Sequence, residues 1–187
     1  MDKKLVVLFP GVGYHNDKPL MYYTKKLAQK YDYKILELSY SLSDGATVIK
    51  ADKDKAKNAV EEAYNQIAGA LNDANLDQYE RVIFVGKSIG TAIMARYAMT
   101  YELDVDMIIY TPIAETFSFL GPCEGLVFHG SADPFCDTDM CTQLCEQMSL
   151  TYAVIPDANH SLETGDVATD IKNLEKIMIT VDGIISI

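Results

Sequence analysis

The sequence predicts an α/β fold, a three-layer α/β/α sandwich built on a mostly parallel, six-stranded sheet. Three observations carry this. Short apolar runs rich in β-branched residues, such as Leu5–Phe9, Arg81–Val85 and Leu126–His129, recur along the chain. Stretches with helical periodicity separate them. The runs are apolar at nearly every position rather than every second one, which marks strands buried on both faces beneath crossover helices.

Taken in order, Leu5–Phe9 is the first strand, ended by Pro10-Gly11, and Lys18–Tyr31 is a helix. Tyr33–Leu38 is the second strand. Residues 54–71 set Ala56, Ala59, Val60, Ala63, Ile67 and Leu71 on one face with charges opposite, an amphipathic helix. Arg81–Val85 is the third strand and Ser88–Thr100 its helix. Met107–Tyr110, Leu126–His129 and Tyr152–Ile155 are the remaining strands, with helices at Thr138–Met148 and Val167–Ile179. The most polar connection, Ser39–Lys53, reads as a loop. With no internal repeat, low-complexity tract or linker, residues 1–187 read as a single domain.

Composition narrows the function classes. Hydrophobic residues make up 49% and charged residues 23%, ordinary values for a globular protein. A net charge of −11 speaks against nucleic acid or an anionic membrane as partner, since both require basic patches. No apolar stretch approaches the roughly 20 residues that span a bilayer. Met1-Asp2-Lys3-Lys4 before Leu5–Phe9 imitates the start of a signal peptide. The apolar run stops after five residues, however, with no small-residue cleavage site, so a buried strand is expected. The four cysteines crowd into one quarter of the chain, unlike a disulfide framework, which predicts free thiols and a cytoplasmic location.

The chemistry concentrates in Gly86-Lys87-Ser88-Ile89-Gly90, a G-x-S-x-G between an apolar strand and the small-residue helix Thr91-Ala92-Ile93-Met94-Ala95. In that context the pattern is a nucleophile elbow. Raising a hydroxyl to the tip of a sharp turn strains the backbone and brings strand and helix close, so side chains at positions 86 and 90 would obstruct it. The competing reading is a helix-capping serine on a glycine-lined turn.

A serine nucleophile needs a base, and the base an acid. Of the three histidines, His160 follows the sixth strand, on the edge of a parallel sheet where the Ser88 turn also lies. His129, at the end of the fifth strand, is expected to be structural, its ring bonding loop backbone. The loop it opens supplies Asp133. Asp137 and Asp139 look like first-turn helix residues, and Asp157 is a local competitor for orienting His160.

The order Ser88, Asp133, His160 is that of the α/β-hydrolase triad. With its G-x-S-x-G, its His129-Gly130-Ser131-Ala132-Asp133 loop and its late Asn159-His160-Ser161-Leu162, the chain resembles a small α/β-hydrolase over almost its whole length. The resemblance implies a minimal version of that fold, lacking the first antiparallel strands, with strands in the order 2-1-3-4-5-6. It implies an oxyanion hole formed by the backbone N–H of Ile89 and of Val12, with Gly11 or Gly13 as alternatives to Val12. Pro10-Gly11 stands where the family commonly has His-Gly. A dinucleotide site is not expected, because Asn16 breaks G-x-G-x-x-G.

Only Pro112–Gly125 separates the fourth and fifth strands, so no lid or cap domain is expected beyond one short turn at Ala114–Leu120. Lys87 and His15 either add positive charge near the site or point into solvent. Cys136, Cys141 and Cys145 with His129 offer metal-ligating types, but Met140, Cys141, Leu144, Cys145 and Met148 follow one apolar helix stripe, so core thiols and no metal are expected. The expected function is a cytoplasmic serine hydrolase, with no cofactor, acting on small esters or thioesters as a monomer or homodimer. The alternatives are a hydrolase-fold binding or regulatory protein with little turnover, or an amidase or peptidase using the same triad.

Overall fold

The structure is a computed structural model that describes residues 3–121, 123 and 125–187. Strands β1 (Lys4–Phe9), β2 (Lys34–Glu37), β3 (Arg81–Lys87), β4 (Asp106–Tyr110), β5 (Gly125–Gly130) and β6 (Thr151–Ile155) form one sheet in the order β2-β1-β3-β4-β5-β6. Every pairing is parallel, as expected. Helices α1 (Pro19–Lys30), α2 (Ala46–Ala51), α3 (Lys53–Asp73), α4 (Ile89–Thr100), α5 (Thr138–Gln147) and α6 (Val167–Ile185) complete the three layers.

Side-chain alternation along each strand divides the core. In β3, Val82 and Phe84 pack with Ile67 of α3 and Ile93 of α4, whereas Ile83 and Val85 pack with Met21 of α1 and Val181 of α6. Both faces are covered, so the strands carry no polar face, and hence the near-continuous apolar runs. The chain winds first from β1 to β2 and then back across to β3. The sheet therefore changes winding direction between β1 and β3, and the crevice at their carboxyl ends is where such folds hold ligands.

Two elements depart from expectation. The connection 39–53 contains α2, a six-residue helix entered at Gly45, in which Ile49 is buried; so short a helix cannot display a period. Next to it, the Asp52 side chain accepts from the N–H groups of Asp54 and Lys55 and so starts α3. At the other end, α6 runs on past Ile179 to Ile185. The segment Ile177–Val181 carries four β-branched residues in five and is a poor helix former in isolation, but Ile177, Val181 and Ile185 recur every four residues and are buried, and packing overrides propensity. The short turn expected over the sheet edge is a 3-10 segment at Ala114–Ser118. Among the described residues no helix is long and apolar enough to cross a membrane.

Candidate active site

Ser88 stands at the tip between β3 and α4 with φ 57° and ψ −126°, a conformation that non-glycine residues rarely adopt. Neighbouring hydrogen bonds hold the strain in place. The Ser88 N–H donates to the Tyr110 carbonyl at 3.0 Å, and the Thr91 hydroxyl and N–H donate to the Ser88 carbonyl at 2.6 and 2.9 Å. The flanking glycines are sterically required. A Cβ on Gly90 would lie 2.1 Å from the Phe9 carbonyl oxygen, and one on Gly86 would lie 2.9 Å from the Thr91 Cα. Although Ser88 occupies the N-cap position, its side chain makes no capping bond.

Instead, Ser88 Oγ lies 2.7 Å from His160 Nε2, and His160 Nδ1 lies 2.7 Å from Asp133 Oδ2. A carboxylate only accepts, so Nδ1 carries the proton and Nε2 is left to accept from the serine. The Asp133 side chain is fully buried, and its Oδ1 accepts the Phe135 N–H at 2.9 Å. The loops bearing Asp133 and His160 are laced together. Ala132 N–H donates to the Ala158 carbonyl at 2.9 Å and Asp157 N–H to Ser131 Oγ at 2.8 Å. Gly130 permits this approach, since a Cβ there would stand 2.3 Å from the Ala158 oxygen.

The other acids lie elsewhere. Asp137 caps α5 by accepting the Met140 N–H, Asp139 sits in the first turn of α5, and Asp157 is exposed. His129 differs from expectation in its partner: Nε2 meets the Thr138 hydroxyl at 3.0 Å rather than loop backbone. Because β5 is covered on both faces its ring is buried, with Nδ1 4.0 Å from Asp133 Oδ2, and burial pulls its pKa below the ordinary imidazole value.

The loop after β1 folds into a tight turn in which Gly11 and Tyr14 exchange backbone hydrogen bonds of 3.0 and 3.2 Å. That turn consumes the Gly11 N–H, so among the alternatives Gly11 is not available as an oxyanion donor. Val12 and Gly13 line the same cavity as Ser88, and Ile89 opens α4, where the first N–H groups have no partner within the helix. Lys87 does not point into solvent. It is 1% exposed, lines the cavity and holds its ammonium 4.9 Å from the Tyr14 ring centre. His15 is exposed, 3.8 Å from Asp17.

The cavity in front of Ser88 measures about 320 Å³. Ile49, Ala56, Ile113 and Phe135 give it apolar walls, and Asp52 and Glu115 add carboxylates. Three contributors escaped the sequence reading. Phe135 sets its ring edge against the His160 imidazole with centres 4.4 Å apart. The Thr111 hydroxyl donates to the His160 carbonyl at 3.1 Å. The start of α3 supplies Asp52. The first two follow strand ends on the carboxyl edge, a positional signal available in the sequence. The third depended on α2, which no sequence pattern marks. Cys136, Cys141 and Cys145 are buried in the core on the α5 side.

No family model matches the chain, and no curated protein matches it in sequence. Solved structures do match. Est1E from Butyrivibrio proteoclasticus, solved with ferulic acid bound, superposes with a TM-score of 0.71 at 13% identity, covering 98% of this chain and 88% of that one. A lidless α/β serine hydrolase from Xanthomonas campestris gives 0.60 at 15% identity, covering 96% and 79%. A Bacillus cereus carboxylesterase gives 0.60 at 17% identity, covering 97% and 88%. At these identities the likeness carries the fold.

Proposed function

We propose that this chain, an α/β-hydrolase in fold, is a serine hydrolase that cleaves small carboxylic esters or thioesters through an acyl-enzyme. One observation carries the reading: the unbroken relay Ser88 Oγ–His160 Nε2 and His160 Nδ1–Asp133 Oδ2, each 2.7 Å, at the mouth of a cavity.

In this mechanism Ser88 Oγ attacks the substrate carbonyl carbon while its proton passes to His160 Nε2. Asp133 keeps the ring in the required tautomer and stabilises the imidazolium. The negative charge on the carbonyl oxygen is met by the N–H groups of Ile89 and Val12, which stabilise it by several kcal/mol in sites of this kind. Collapse expels the alcohol or thiol, which takes the proton from His160. A water then attacks the acyl-Ser88, activated by the same imidazole, and the acid leaves. The 3-10 segment at Ala114–Ser118 and the roughly 320 Å³ cavity favour small substrates. The free cysteines Cys136, Cys141 and Cys145 support a reducing compartment, and we propose that the enzyme works in the cytoplasm.

Ser88→Ala tests the reading. Hydrolysis of p-nitrophenyl acetate should fall by at least about a thousandfold, because removing the nucleophile of such a unit removes most of its rate enhancement. The melting temperature should hold or rise, since the strained serine carries no cap. Wild-type turnover in the Ser88→Ala variant would refute the proposal.

A further inference from the structure

A second cavity, of about 440 Å³, lies on the α1/α6 side of the His160 loop. Leu20, Leu162, Val167, Ile171, Leu174 and Ile177 line it, and it shares two wall residues, Tyr14 and Ser161, with the cavity in front of Ser88. The Tyr14 ring is pinned between the two, its hydroxyl accepting the Leu20 N–H at 3.2 Å. Val167 and Ile171, one turn apart on α6, are 71% and 62% exposed. They extend the apolar lining of this groove out to the surface.

We infer that this groove takes the leaving group of the substrate, and that the leaving group is a neutral, apolar alcohol or thiol. The inference rests on the hydrolase reading and extends it. Direction comes from the proton. His160 Nε2 must protonate the departing oxygen or sulfur, so the leaving group exits on the His160 side. Ser161, the next residue, lines both the cavity in front of Ser88 and the groove. The cavity's other extension, toward Ile49, Ala56 and Ile113, is then left for the acyl group. Charge fixes the chemistry. The ionisable groups lining the groove besides Tyr14 are Glu163 and Asp170, with the Asp170 carboxylate held by the Thr164 N–H and hydroxyl at 2.6 and 2.7 Å. An anionic alcohol or a phosphorylated thiol would be repelled there, whereas an alkyl chain would bury its methylenes against Leu162, Ile171 and Leu174.

The test compares alkyl acetates from methyl to octyl, followed by pH-stat. In the wild-type protein kcat/KM should climb about three- to fourfold for each methylene that enters the groove. In the Val167→Asp/Ile171→Asp variant the octyl-to-methyl ratio should fall toward one; a ratio cancels any overall change in rate, and a thermal melt checks folding at these exposed positions. p-Nitrophenyl esters of increasing acyl length should keep the same profile in both proteins. A flat alcohol series in a protein that hydrolyses methyl acetate overturns the groove assignment and leaves the hydrolase reading standing. So does a steep series that survives both substitutions, an effect confined to the acyl series, or a dimer in solution that the two aspartates dissolve. No Ser88-dependent turnover of any ester refutes the hydrolase reading itself, and the groove assignment with it.

Discussion

His129 and His160 carry the same side chain to opposite ends, and their surroundings explain why. His160 sits on a loop at the sheet edge with Ser88 and Asp133 at 2.7 Å on its two nitrogens. His129 ends β5 facing inward, 1% exposed, with Thr138 on Nε2 and no hydrogen-bond partner on its buried Nδ1. Its place at the end of a strand buried on both faces was legible in the sequence, and a buried ring follows from it. Its partner was not, because Thr138 becomes its neighbour only when α5 folds back. Burial depresses the folded-state pKa of His129 below the 6.5 of the free imidazole. The unfolded chain therefore takes up the proton first, and the contribution of His129 to stability is present above about pH 6.5 and lost as pH falls below it. His129→Gln should remove that dependence. Thermal melts from pH 7.5 to 5 should show the wild type losing stability relative to the variant as pH drops. Parallel curves would mean that His129 is charged or neutral alike in both states.

At the level of elements, the strands and the long helices were readable because burial on both faces leaves apolar runs and burial on one side leaves 3.6-residue periodicity. What escaped were α2, too short to show a period, and the last turns of α6, where β-branched residues argue against a helix that packing imposes. The nucleophile turn was legible for a different reason: Gly86 and Gly90 mark places where backbones touch, whereas the close approach at Gly130 emerged only from the structure. The opposite edge of the sheet is fixed by Arg81, whose guanidinium donates to Asp106 Oδ2 at 2.9 and 2.6 Å, to the Tyr33 hydroxyl and to the Ile184 carbonyl. One side chain thus joins β3 to β4 and to the end of α6. Arg81→Met leaves a half-buried carboxylate and a carbonyl without their donor, which should cost about 1–3 kcal/mol of unfolding free energy by urea titration. Because Arg81 sits at the amino ends of the strands, the turnover of p-nitrophenyl acetate at 25 °C should stay within twofold of wild type. A large rate loss with unchanged stability would mean that the two edges of the sheet are coupled.

Across the whole molecule, the winding reversal between β1 and β3 gathers residues that are far apart in sequence: the 11–14 turn, Ser88, Asp133 and His160. Topology is why three residue types in the right chain order, with no view of the loops between, pointed to side chains that the fold brings within hydrogen-bond distance of one another. What the order could not convey is the shape of the surroundings: Phe135 against the imidazole, Lys87 buried beneath Tyr14 and carboxylates at Asp52 and Glu115. Those depend on side-chain placement across three layers, which no local pattern encodes. The central claim is that the relay makes Ser88 an activated nucleophile. Intact-mass spectrometry after brief exposure to a fluorophosphonate tests it most directly. The account predicts a single phosphonyl adduct on Ser88, absent in Ser88→Ala and formed far more slowly in His160→Ala. A folded wild-type protein that acquires no adduct, or a His160→Ala variant that labels as fast as wild type, would contradict it.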